Sequence, residues 1–136
     1  MAKTKILIID DDAATRLRVS ARRKKHQYDT VFAADAMQAI AVARETQPDA
    51  IILDLGLPGG NGLIVLDRLK ANTMISSIPV IIQTADESLE SELKGLEAGA
   101  ESVLHKPVQE DVLIAAVARA IGVVAECPVT DAERQR

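Results

Sequence analysis

The chain has 136 residues, 48% hydrophobic and 26% charged, with a net charge of −4; that is the size and make-up of one globular domain with a real core, and it excludes a disordered chain. No apolar run approaches the roughly 18 residues of a membrane span, and the stretch Ile6–Ile9, with acids directly after it, is too brief for a signal peptide. The acidic balance argues against direct binding of nucleic acid, which needs surplus Lys and Arg, and the lone Cys127 allows no disulfide within the chain, which fits a cytoplasmic setting.

In chain order, Ile6–Ile9 reads as a strand that runs into Asp10, Asp11 and Asp12. A helical segment follows from about Ala13 to Lys25, with Leu17 and Ala21 on its inner face. Thr30–Ala33 is a weaker strand, and a second helical segment begins at Asp35, whose spacing to Gln38 suits a capping box. Ala50–Leu53 is a strand ending in Asp54, and the loop beyond it holds Gly56, Pro58, Gly59 and Gly60. The third helical segment, Gly62 to Ala71, aligns Leu63, Leu66 and Leu69. Val80–Ile82 is a strand leading to Thr84. The fourth helical segment starts near Asp86, is expected to bury Leu89, Leu93 and Leu96, and stops near Gly99, which can take the left-handed conformation of a helix end. Ser102–Leu104 then runs into His105, Lys106 and Pro107. The last helical segment, Gln109–Ile121, turns Leu113, Val117, Ala120 and Ile121 inward and leaves Val112, Ile114 and Ala118 off that stripe, as packing or as an output or dimer contact. Residues 1–122 form the domain; residues 123–136, with Pro128 and no helical stripe, are a tail or the start of a linker.

Short β-branched runs without polar interruption are strands covered on both faces, so the three strong ones are parallel and central and the two weaker ones lie toward the edges. Five alternations of strand and helix call for an α/β, doubly wound sheet with helices on both faces. In such sheets ligands bind beyond the carboxyl ends of the strands. The distinctive polar residues all fall there: Asp10, Asp11 and Asp12, then Asp54, Thr84 and Lys106.

Carboxylates brought together repel, so they hold protons or a hard cation with oxygen ligands, and Mg²⁺ is the economical choice. The Gly56 backbone can turn its carbonyl toward that metal. Lys106 can neutralise a phosphoryl group and Thr84 can hydrogen-bond one of its oxygens, which makes Asp54 the candidate nucleophile, able to carry the group as an acyl phosphate. Each residue also has a plain reading. Asp12 suits a helix N-cap and is left out of the metal site. Thr84 alone would end a strand, Lys106 alone would be solvated, and Asp54 alone would start a turn; one rim holding all three is what a site requires. His105 points away from Lys106 by alternation and is structural or exposed.

The ordered set "IIDDD", "DLGLP" with a Gly four residues past the Pro, "QTA" and "HKP" resembles the receiver domain of bacterial response regulators, over residues 3 to about 122. The resemblance implies a flavodoxin-like fold with strand order 2-1-3-4-5. It also implies Asp54 as acceptor of a phosphoryl group from a histidine kinase or a histidine phosphotransfer protein. Asp11 would ligate Mg²⁺ directly, Asp10 largely through water and Gly56 through its carbonyl. Thr84 and Lys106 match the family's switch hydroxyl and lysine, and Lys106–Pro107 resembles a bond that is cis in the family. The chain would be a phosphoacceptor signalling domain that promotes its own phosphorylation and dephosphorylation, not an enzyme with a separate substrate. It departs from the family at Val103, where receivers often carry an aromatic side chain that rotates on activation; Gly56 and Asp86 stand where receivers differ and where hydrolysis is tuned. The basic run Arg16–Lys25 is a solvated face or a docking surface for the donor. Two other readings stay open: a receiver-shaped module that binds partners without phosphate, and a haloacid-dehalogenase-like phosphatase, whose acid pair Asp10 and Asp12 would give Asp54 no role.

Overall fold

The structure is a computed structural model and describes residues 4–10, 29–55, 62–85, 88–106 and 108–122. The helical segment expected from Ala13 to Lys25, with Leu17 and Ala21 and the basic run from Arg16, lies outside them, as do Asp11, Asp12, Gly56, Asp86, Pro107 and residues 123–136.

Five strands, β1 (Lys5–Ile9), β2 (Asp29–Ala33), β3 (Ala50–Asp54), β4 (Val80–Thr84) and β5 (Ser102–His105), form one sheet in the order β2-β1-β3-β4-β5. Every neighbouring pair is parallel. The strong apolar runs are the inner strands: Ile6–Ile9, all of β3 and all of β4 are buried, whereas the edge strands β2 and β5 are largely part-exposed. This is the expected sheet, and its hydrophobic strands are continuous because both faces are covered.

The helices between them are α1 (Ala36–Thr46), α2 (Gly62–Ala71), α3 (Leu89–Glu97) and α4 (Glu110–Ala120). On one face Leu7, Ile9, Ile51, Leu53 and Ile82 pack with Ala39 and Ala43 of α1 and Val65, Leu66 and Leu69 of α2. On the other, Ile6, Ile8, Ile52 and Ile81 meet Leu113, Ala116 and Val117 of α4, with Ala120 and Ile121 partly buried beside them. Each fully buried Ile or Leu contributes about 1.5–3 kcal/mol of transfer free energy, so most of the hydrophobic stabilisation comes from strands pinned between these layers. Val112 is 47% exposed, in keeping with its place off the inner stripe.

Local chemistry fixes the helix ends. Asp35 caps α1, its carboxylate accepting from the Gln38 amide at 2.9 Å, while Gln38 Oε1 accepts from the Ala34 amide at 2.8 Å. The return bond thus goes to the residue before the cap, so the expected box closes one residue early. At the start of α2 a Cβ on Gly62 would lie 2.5 Å from Leu55 Cα, closer than real atoms come, and only glycine lets α2 begin against the end of β3. The turn from α2 to β4 is held by Lys70, whose Nζ donates to the carbonyls of Ser76 at 3.2 Å and Ile78 at 3.1 Å. Burial holds that ammonium below the usual lysine pKa, with the Glu101 charge acting in the opposite sense.

Helix α3 departs from expectation. Ser88 caps it, accepting from the Ser91 amide at 3.1 Å, so within the described residues it begins at Leu89 rather than near Asp86. Gly99 follows its end with φ of 110°, as anticipated. Leu89, Leu93 and Leu96, however, are 67%, 49% and 41% exposed instead of buried. The one buried residue of α3 is Gly95, where a Cβ would come within 2.9 Å of Ile82 Cδ1 and 3.1 Å of Val103 Cγ2. Ser91, Glu92, Gly95 and Ala98 turn toward the sheet because the helix sits close enough that only small or partly polar side chains fit beneath it, and the leucines face outward.

Candidate functional site

The carboxyl ends of β1, β3, β4 and β5 deliver one polar side chain each to the same rim. Asp10 follows β1, its amide bonded to the Ala33 carbonyl at 3.0 Å, and is 1% exposed. Asp54 closes β3 and is 8% exposed. Because Ile9 is level with Leu53 in the parallel pairing, the next residues, Asp10 and Asp54, come level at the strand ends. Thr84, also buried, closes β4. Lys106 follows β5, and its amide donates to the Thr84 carbonyl at 2.8 Å, which ties the lysine to the threonine's strand.

Two of these side chains meet directly. Lys106 Nζ donates to Asp54 Oδ2 at 3.1 Å across 52 residues of chain. The lysine side chain is about one-third exposed while Asp54 is buried, so solvent screens the pair only in part; its consequence is positional, since it holds a cation beside the carboxylate. A pocket of about 600 Å³ opens over them, lined by Asp54, Thr84 and Lys106, by Leu55 and Leu63, and by Ser88 and its neighbours at the start of α3. The α3 wall, including Ser91 and Lys94, was not among the expected site residues. Ser88 was legible as a cap just before an apolar residue; that α3 would flank the acid was not.

Burying a carboxylate is costly unless cations or hydrogen bonds compensate. Two acids lie level here with Lys106 against one of them, and their hard oxygen donors are the kind Mg²⁺ takes. Among the described residues no group of three or more His, Cys, Asp or Glu is gathered. Asp10 and Asp54 are therefore the part of the expected metal set that the structure places; Asp11 and Gly56 lie outside the described residues, and so does the Lys106–Pro107 bond. The donor chemistry fits Mg²⁺. His105 stays out of the pocket, half-buried, with Nε2 3.4 Å from Glu92 Oε1 on α3. Among the described residues no helix is long and apolar enough to cross a membrane.

Set beside known proteins, the chain matches the response regulator receiver domain over residues 6–118. It is 35% identical to the DNA-binding response regulator MtrA of Mycolicibacterium paratuberculosis, over 85% of this chain and 50% of that protein. It is 33% identical to protein PilH of Pseudomonas aeruginosa, over 81% of this chain and 91% of that one. The receiver domain of sensor histidine kinase PA1611 from Pseudomonas aeruginosa PAO1, solved with a magnesium ion coordinated in its active site cleft, superposes with a TM-score of 0.81 at 27% identity, covering 89% of this chain and 99% of that one. The chain spans about half the length of the MtrA relatives it matches. It belongs to the response regulator receiver family, whose members are phosphoacceptor signalling domains of two-component systems. That membership decides against the haloacid-dehalogenase reading.

Proposed function

We propose that this receiver domain takes a phosphoryl group on Asp54 and answers with a change at the rim that holds Thr84 and Lys106. The observation that carries the reading is the 3.1 Å contact from Lys106 Nζ to Asp54 Oδ2, in a pocket walled by Thr84 and level with Asp10. An Asp54 carboxylate oxygen attacks the phosphorus of an N-phosphohistidine; the P–O bond forms as the P–N bond breaks, and the imidazole leaves. Lys106 then moves from the free carboxylate to the phosphoryl oxygens, and the Thr84 hydroxyl donates to one of them. Asp10, Asp11, Asp54 and the Gly56 carbonyl are the groups that would hold Mg²⁺, which supplies positive charge against the phosphoryl oxygens. The domain acts on itself rather than on a separate substrate, in the cytoplasm, with residues 1–122 as the receiver and 123–136 as tail or linker. Response regulators work with histidine kinases and output domains. For this chain the donor is a histidine kinase or a histidine phosphotransfer protein, and the answer goes to an output partner or a second copy.

The test is intact mass after incubation with acetyl phosphate and Mg²⁺, beside Asp54→Asn. One added phosphoryl group on the parent and none on the variant is expected. No adduct and no consumption of acetyl phosphate would contradict the reading and favour a phosphate-independent binding module.

A further inference from the structure

The pocket over Asp54 is larger than the phosphoryl chemistry requires. Its volume of about 600 Å³ is several times what the four heavy atoms of a phosphoryl group fill, at about 30 Å³ for each water-sized group. Beyond Asp54, Thr84 and Lys106, its wall is Leu55 and Leu63 on one side and Glu90, Ser91 and Lys94 of α3 on the other. Those three α3 residues have no part in the attack by Asp54 or in the expected metal set, yet they bring a cation and a hydroxyl into the same pocket.

Their placement follows from the direction of the helix. α3 starts beside the end of β4 and runs away from the rim, passing Ile82 at Gly95. Because Cα–Cβ bonds tilt toward a helix N-terminus, its side chains lean back toward the rim. Ser91 and Lys94, three residues apart, share one side of the helix. Lys94 Nζ lies 3.3 Å from Glu90 Oε2, one turn nearer the cap, which draws the ammonium toward the strand ends. Both side chains of that pair are more than half exposed. Such a pair is worth little, so an incoming anion can replace Glu90 at small cost.

What this wall can do depends on the group that leaves phosphorus. When Asp54 attacks a donor with a P–N bond, the nitrogen carries its own proton and departs as a neutral amine or imidazole, which gains nothing from a cation. When the donor is an acyl phosphate, the P–O bond to the acyl group breaks, its electron pair stays on that oxygen, and a carboxylate departs with no proton transferred. A carboxylate only accepts hydrogen bonds, and the Lys94 ammonium and the Ser91 hydroxyl can each donate one. We propose that Lys94 and Ser91 are specificity-determining residues that favour small acyl phosphates over donors with a P–N bond by meeting the departing carboxylate; the proposal rests on Asp54 being the acceptor. Leu55 and Leu63, across the pocket, suit the short hydrocarbon of such a donor.

The experiment follows intact mass against time in Mg²⁺ with acetyl phosphate, which releases acetate, and with phosphoramidate, which releases ammonia; the readout is the ratio of the two rates. Lys94→Ala is expected to lower that ratio about three- to fivefold, the size of a partly exposed ion pair, and Ser91→Ala about twofold. Lys94→Arg keeps most of it, and Glu90→Gln, which removes the competing carboxylate, raises it. Arg68→Ala takes the same charge from an exposed position on α2 that does not line the pocket and is expected to leave the ratio within about 1.5-fold. An unchanged ratio in Lys94→Ala, or an equal fall in Arg68→Ala, would overturn the proposal while leaving Asp54 in place, and so would a parent that is phosphorylated by phosphoramidate alone. Absence of an adduct from either donor would overturn both.

Discussion

Helices α2 and α3 both carry leucines at helical spacing, and they use them in opposite ways. In α2, Val65, Leu66 and Leu69 are buried to within 1% of full burial and Gly62 brings the helix against Leu55, the residue after Asp54. In α3, Leu89, Leu93 and Leu96 face outward and the helix rides on Gly95. Apolar periodicity marks a stripe on a helix, but the stripe turned inward is set by how near the backbone must come to its neighbours. One helix thus anchors the floor of the site, and the other, flanking the pocket, is lightly seated.

That contrast can be broken most directly with Leu66→Ala set against Leu93→Ala. The first leaves a cavity in the core and is expected to cost about 2–5 kcal/mol, whereas the second removes a surface side chain and is expected to stay within about 0.5 kcal/mol; urea unfolding measures both. Equal costs would mean that α3 is packed as firmly as α2. Gly62→Ala comes next, at about 1–3 kcal/mol, because the atom in the way is Leu55 Cα and backbone does not yield as a side chain does. Thermal unfolding of that variant beside Gly95→Ala sharpens the comparison. At Gly95 the obstructing atoms are side-chain ends, and relieving a mid-helix glycine returns up to about 1 kcal/mol, so a net change within about 1 kcal/mol of zero is expected. Between these two falls Lys70→Met. It removes two bonds to the carbonyls of Ser76 and Ile78 but also relieves a partly buried charge, for a net loss of about 1 kcal/mol in urea unfolding.

The same physics explains what could be read from the chain beforehand. The inner strands were legible at Ile6–Ile9, Ala50–Leu53 and Val80–Ile82 because burial on both faces leaves unbroken apolar runs. Asp10, Asp54, Thr84 and Lys106 were legible because polar residues that end such runs in a parallel sheet must share one rim, and the structure joins Lys106 to Asp54 there. The orientation of α3 was not legible. Its inner face is made of Ser91, Glu92, Gly95 and Ala98, residues that a search for apolar stripes assigns to solvent. The contact from His105 to Glu92 was hidden for the same reason, since it depends on which way α3 faces. Asp11 and Gly56, expected beside Asp10, lie outside the described residues.

The central claim is that the phosphoryl group is carried by Asp54 and by no other acid of the rim. An aspartyl phosphate is an acyl phosphate, and borohydride reduces it to the alcohol, converting that aspartate to homoserine. Peptide masses from the chain treated with acetyl phosphate, Mg²⁺ and then borohydride should place homoserine at residue 54 alone. Homoserine at residue 10 or 11 with residue 54 intact would contradict the account.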